Sequence, residues 1–200
     1  GLVGSEMCIR DRRVSGCTFQ VVSAPGVRRM KGPMLVLVAG PSGAGKDTVL
    51  AYAKAHLAGY EKVVFPRRVI TRPPGPGEDH VCVTEAEFAS ARFALAWEAH
   101  GLRYGIPADI ERDLAAQRIV IINVSRAVIA EARARFPCMV VEITAPPEVL
   151  AQRLAARGRE DASDIAERLR REGAQIEADV TIINDGLPQD AGAMFLAKLS

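Results

Sequence analysis

An α/β fold, a parallel sheet flanked by helices, is what the sequence predicts, and three observations carry that prediction. From Met34 onward, short runs rich in Val, Ile and Leu take turns with Ala-, Leu- and Arg-rich amphipathic stretches. The apolar runs are continuous, as they are in strands buried on both faces. The first of them, "MLVLVAG", runs straight into the glycine-rich "GPSGAGK". Strand and helix in alternation imply right-handed crossovers and therefore parallel neighbours.

Taken in order, the first strand begins at Met34 and a helix is expected from Asp47 to about Leu57. "VVF" at 63–65 and "RRVIT" at 67–71 read as short strands, and "RIVIIN" at 118–123 as a longer one. A helix near 125–135, a strand over "CMVVEIT" at 138–144, a helix from Pro146 to about Ala156 and a strand over "DVTIIN" at 179–184 complete the series. Two stretches interrupt it. "TRPPGPGEDH" at 71–80 opens a region of short strand-like pieces that lasts to about Pro107, and "RGREDASD" at 157–164 is a polar insert between helical segments. Inserts on a rigid scaffold are where a substrate-binding lobe and a closing lid belong.

The chain has 200 residues, of which 48% are hydrophobic and 25% charged, enough for one globular domain with a sizeable core. No run approaches the roughly 18 apolar residues of a membrane span, and no signal-type apolar segment stands at the front, so a cytoplasmic protein with no membrane partner is expected. Residues 1–12, "GLVGSEMCIRDR", follow no amphipathic period and resemble the in-frame translation of a sequencing adapter. Residues 1–29 are therefore expected to be a non-native leader, with Met30 the natural start of a single domain over 30–200. Residues 30–200 carry 21 basic and 22 acidic side chains, a net charge of −1, and the basicity of the whole chain is no argument for a nucleic-acid partner. Oligomeric state leaves no trace in the sequence. Cys82 and Cys138 lie in apolar runs and are expected to be small buried thiols.

The glycine-rich loop carries the chemistry. Gly40, Gly45 and Lys46 fall at the spacing of a phosphate-cradling loop, and the loop lies between a strand and a helix, the context that gives the spacing meaning. Across Gly40, Pro41, Ser42, Gly43, Ala44 and Gly45 the backbone turns tightly and aims N–H groups inward, while the helix start and Lys46 add positive charge for outer phosphates. The loop is thus expected to bind the nucleotide through these residues together with Asp47 and Thr48. Asp47 stands where a hydroxyl residue is usual. Its carboxylate suits magnesium, directly or through water. Alternatively it complements the helix dipole and leaves the hydroxyl role to Thr48.

"GPSGAGK", "RRVITRP", "GEDHVCVTEAEF", "LAWEAHGLRYGIP", "VEITAPPEVLAQRLAARGRE" and "IAERLRRE" are similar in order and spacing to the guanylate kinases over nearly the whole of 34–185. The resemblance implies a P-loop kinase fold with a small acceptor-binding lobe and a lid, and ATP and Mg2+ as cofactors. It also implies that Lys46, Arg157 and Arg168 act in catalysis, that Arg153 and Arg159 bind the nucleotide, and that Arg72, Tyr104 and His80 meet the acceptor's phosphate. Arg103 has no counterpart in the family and is expected to meet a second phosphate.

The departures from the family are as informative. Ala96 stands where the resemblance puts a guanine-reading glutamate, and Ile106 where it puts a base-contacting hydroxyl residue. Gly75 replaces a second phosphate-clamping arginine. The resemblance is closest to a branch that phosphorylates a sugar phosphate, ribose 1,5-bisphosphate, to 5-phosphoribosyl 1-diphosphate in phosphonate catabolism. Two alternatives stand beside it: a nucleoside monophosphate kinase, and a catalytically inactive interaction module of the same fold. An intact Gly45–Lys46 and the lid arginines speak against the inactive module.

Overall fold

The computed structural model describes residues 32–75, 78–156 and 176–199. Residues 1–29, to which the leader expectation applies, lie outside them, as do Arg157, Arg159 and Arg168. Among the described residues nine strands form two sheets. The larger contains β1 (Met34–Ala39), β2 (Val63–Val64), β7 (Ile119–Asn123), β8 (Cys138–Thr144) and β9 (Val180–Ile183), in the spatial order β2-β7-β1-β8-β9 with every neighbouring pair parallel. The helices around it are α1 (Lys46–His56), α3 (Ile110–Ala115), α4 (Ile129–Arg135), α5 (Pro147–Ala156) and α6 (Pro188–Lys198).

The continuous apolar runs are explained by this placement. On β1, Val36 and Val38 point to one face, where they pack with Val49 and Ala53 of α1 and Phe195 and Leu196 of α6. Leu35, Leu37 and Ala39 point to the other, into a cluster with Val120, Ile122 and Val140. All five strand residues from Leu35 to Ala39 are fully buried. Burying a side chain of this size is worth about 1.5–3 kcal/mol, and here both strand faces gain it. The helix expected near 125–135 is split: a 3-10 turn at Arg126–Val128, begun by Ser125 Oγ accepting from the Ala127 N–H at 3.3 Å, leads into α4.

The smaller sheet belongs to the interrupted region. It consists of β3 (Arg68–Ile70), β4 (His80–Cys82), β5 (Phe93–Ala99) and β6 (Leu102–Pro107) in the order β4-β3-β6-β5. β6 is antiparallel to both its neighbours, whereas β3 and β4 run parallel. A two-residue turn joins β5 to β6, with His100 at φ 54° and Gly101 at φ 69°, the left-handed pair that suits a tight hairpin. Between β4 and β5 lies α2 (Glu85–Ser90), whose start is a reciprocal cap: Thr84 Oγ1 accepts from the Glu87 N–H, and Glu87 Oε2 accepts from the Thr84 N–H. This lobe packs through Leu95, Trp97 and Ile106 onto the Leu35–Leu37 side of the large sheet. The cysteine expectation needs correction. Cys82 is exposed because its strand is at a sheet edge, and Cys138 is half-buried, with burial pushing its thiol pKa up.

Candidate active site

The loop after β1 forms one wall of an open cleft. Gly40 has φ 139°, and a Cβ there would run into the Ile143 carbonyl of the neighbouring strand; Gly45 has φ 84°, and a Cβ would come 2.5 Å from Asn184 Nδ2. Both positions therefore require glycine. Gly45 begins α1 with no side-chain cap, which leaves the first helical N–H groups pointing at the cleft. Lys46 Nζ donates to the carbonyls of Gly40 at 2.7 Å and Pro41 at 2.8 Å, curling back over its own loop. Gly40, Ser42, Gly43, Gly45, Lys46, Asp47 and Thr48 all line the cleft. Ala44 is fully buried, and its carbonyl accepts from Asn184 Nδ2 at 2.8 Å.

Asp47 takes part in an interaction that the loop pattern did not announce. Its Oδ1 accepts from Asn123 Nδ2 at 2.9 Å, and Asn123 is buried at the end of β7. Arg68 Nη2 lies 3.8 Å from the same oxygen. The carboxylate is thus oriented by an amide, exposed on its other side, and adjacent to the exposed Thr48 hydroxyl. A carboxylate and a hydroxyl at the mouth of a phosphate loop suit a magnesium ion, which takes few protein oxygens and keeps the rest of its shell for water and phosphate. Among the described residues no group of three or more acidic, His or Cys side chains is placed to hold a metal ion.

The facing wall comes from the lobe. Arg72, just past β3, donates from Nη1 to Glu78 Oε2 at 2.7 Å and to the Pro73 carbonyl at 2.9 Å, and Tyr104 stands beside it. The Arg72 guanidinium holds the Glu78 carboxyl down at about 2, helped by the Gly75 N–H that donates to it at 3.0 Å. Tyr104 stacks on Trp97 with ring centroids 5.4 Å apart and planes within 5°, and both line the cleft. Gly75, where a second arginine was missed, supplies backbone to Glu78 instead.

Other expected acceptor contacts fall differently. His80 is buried, and its Nε2 donates to the Arg72 carbonyl at 2.9 Å. It supports the backbone of Arg72 without reaching the cleft. Arg103 follows Leu102 and precedes Tyr104 on β6, so it points to the opposite face of the lobe. There it lies over the Phe88 ring at 4.5 Å and beside Glu85 and Glu98 at 3.7 and 3.6 Å. The expectation that Arg103 meets a second phosphate is corrected by this facing. Ala96 is corrected for the same reason: it pairs with Gly105 on the outer face and is exposed. The residue opposite Ile106 on the inner face is Leu95, and both are buried.

Arg153 on α5 donates from Nη1 to the Gly43 carbonyl at 3.4 Å, which brings one of the expected nucleotide-side arginines to the loop. Arg68, Asn123, Asn184 and Glu78 were not anticipated. A signal existed for three of them: in open α/β sheets ligands gather at the carboxyl ends of strands, and Asn123 and Asn184 end apolar runs there, while Arg68 repeats the facing of Arg72 at period 2.

No protein-family profile matches the chain. It is 59% identical over 165 residues to the ribose 1,5-bisphosphate phosphokinase PhnN of Acidiphilium cryptum, covering 82% of this chain and 91% of that one. To the enzyme of the same name from Methylobacterium radiotolerans it is 52% identical over 170 residues, covering 82% and 96%. Among solved structures, guanylate kinase from Anaplasma phagocytophilum superposes with a TM-score of 0.57 at 20% identity, over 84% of this chain and 85% of that one. That likeness is one of fold: a P-loop kinase α/β architecture.

Proposed function

This chain belongs to the ribose 1,5-bisphosphate phosphokinase family, and from that premise we propose that it transfers the γ-phosphoryl group of ATP to the 1-phosphate of ribose 1,5-bisphosphate. An oxygen of the acceptor phosphate bonds to the γ-phosphorus as the bond to the β–γ bridging oxygen breaks. ADP leaves, and the product is 5-phosphoribosyl 1-diphosphate. A phosphate oxygen is already an anion at neutral pH, so the attack needs no strong general base, and positioning with charge neutralisation is what remains for the protein.

One observation carries this reading within the family premise: the loop with Lys46 shares one cleft with Arg72 and Tyr104, a phosphate loop opposite a cation and a hydroxyl. Lys46 exchanges its two loop carbonyls for the outer phosphates of ATP. Arg72 trades part of its pairing with Glu78 for an acceptor phosphate, while His80 keeps its backbone in place. Asp47 and Thr48 would hold magnesium, which neutralises charge between the nucleotide's outer phosphates. Arg153 lies against the loop, and Arg157, Arg159 and Arg168 are assigned from sequence alone to the nucleotide and the transferring group.

The test is an acceptor comparison. Ribose 1,5-bisphosphate should be used with a kcat/KM about 10⁴-fold above that for GMP, since a site without partners for the polar edge of a base discriminates on that scale. Phosphorus NMR of the product should show a diphosphate on C1. Equal or better use of GMP would return the protein to the nucleotide kinases.

A further inference from the structure

Arg68 opens β3 and shares a face with Ile70, and Arg72, just past the strand, lines the same cleft with them. Arg67, on the other face, is committed elsewhere: it donates to the His80 carbonyl at 2.9 Å and pairs with Asp79 at 2.7 Å. Four residues of chain set the Cα atoms of Arg68 and Arg72 at most about 13 Å apart. The cleft is therefore flanked by two cations, Arg68 on β3 and Arg72 just past it, with Ile70 and Tyr104 between them.

Their surroundings differ. Arg72 is bonded to Glu78 at 2.7 Å, whereas the acidic neighbour of Arg68 is Asp47 at 3.8 Å, beyond hydrogen-bond length. The Arg68 side chain is only 23% exposed. The ladder Val69–Gly105, Ile70–Tyr104, continued by one step, sets Arg68 beside Ile106, whose partner across the hairpin is Leu95. A partly buried arginine that lines the cleft presents a planar fork of donors suited to a phosphate.

We infer that Arg68 is the second phosphate clamp of the acceptor site: Arg72 with Tyr104 takes one phosphate of a sugar bisphosphate and Arg68 takes the other. The inference rests on the sugar-bisphosphate reading above and gives it a physical ruler. A bisphosphate engages both arginines, and a sugar monophosphate engages one. The role expected of Arg103 thus passes to a residue on the correct face.

The experiment is calorimetric binding of ribose 1,5-bisphosphate, ribose 1-phosphate and ribose 5-phosphate to the full-length chain, with unfolding temperatures recorded in parallel. The wild type should bind the bisphosphate at least about tenfold more tightly than either monophosphate. Arg68→Gln should weaken the bisphosphate about ten- to a hundredfold, the scale of one charge-assisted contact, down to the affinity of one monophosphate that itself binds as it does to the wild type. That unaffected monophosphate identifies the phosphate seated at Arg72. Arg68→Lys should keep part of the advantage, and Arg103→Ala should keep all of it. Retention of the full bisphosphate advantage in Arg68→Gln would overturn the clamp while leaving the acceptor reading intact. Equal weakening of all three ligands with a lowered unfolding temperature would show a role in the fold, and would also overturn it. A wild type with no preference for the bisphosphate would instead defeat the acceptor reading, and the clamp with it.

Discussion

The donor and acceptor walls of the cleft are built in different ways. On the donor wall nearly every contact comes from consecutive residues, Gly40 to Thr48, and much of it is backbone: left-handed glycines and a helix start without a side-chain cap. On the acceptor wall the groups are side chains from β3, β5 and β6, and the pairing of those strands decides which ones face inward. A backbone site survives many side-chain changes. A side-chain site on a hairpin does not survive a slip of one residue, which would turn Tyr104 outward and Arg103 inward.

Lys46→Ala strikes the donor wall where it does rest on a side chain, and the largest effect is expected there. Loss of charge stabilisation of this kind lowers kcat roughly 10²–10³-fold or more, and the unfolding temperature should hold because Lys46 is half-buried and bonds to carbonyls of its own loop. Steady-state ADP release and a thermal scan measure the two. More than half the activity remaining would remove Lys46 from the chemistry.

A smaller, metal-dependent effect is expected at the seam between loop and strand. Asp47→Asn should raise the magnesium concentration for half-maximal rate, and Asn123→Ala should shift it in the same direction by a smaller step, since the amide only orients the carboxylate. If both variants titrate like the wild type, Asp47 serves the helix start, and its loss costs roughly 0.3–1 kcal/mol of stability instead.

The smallest effect separates the walls by pH. Glu78 is held at about 2 against an ordinary 4.5, chiefly by its bond to Arg72. A folded pKa below the unfolded one means that the stabilisation is complete above about 4.5 and fades as the pH falls toward 2. The unfolding temperature of the wild type should therefore drop across that window, and the drop should be shallower in Glu78→Gln. Identical profiles for the two proteins would mean that the Arg72–Glu78 pair adds nothing to the fold.

How much of this was legible in the sequence follows from the same contrast. The large-sheet strands from Met34 to "DVTIIN" were legible because strands buried on both faces have an unmistakable composition, and the phosphate loop because its residues are adjacent, whereas the short helix α3 at Ile110–Ala115 was not. The capping box at Thr84 and Glu87 and the tight turn at His100–Gly101 were also present as local signals, though they went unread. Facing was the difficult part. Ala96 stands where the resemblance puts a guanine-reading glutamate, yet the hairpin pairs Trp97 with Tyr104 and so turns Leu95 inward and Ala96 outward. No local feature of "LAWEAHGLRYGIP" announces that pairing. Asn123 bonding to Asp47 across 76 residues lies likewise beyond any spacing rule, because it depends on β7 and β1 being neighbours in the sheet.

Lys46 curled over its own loop has one further consequence. Its ammonium already has two carbonyl partners, so an arriving anion must displace bonds that exist and cannot simply neutralise an idle charge. A lone chloride or small carboxylate, which offers one contact, gains little from that exchange. A polyphosphate, which can also engage the N–H groups at the start of α1, offsets it several times over. The loop therefore acts as a threshold, admitting ligands by how many contacts they can complete at once and staying closed to the abundant simple anions around it.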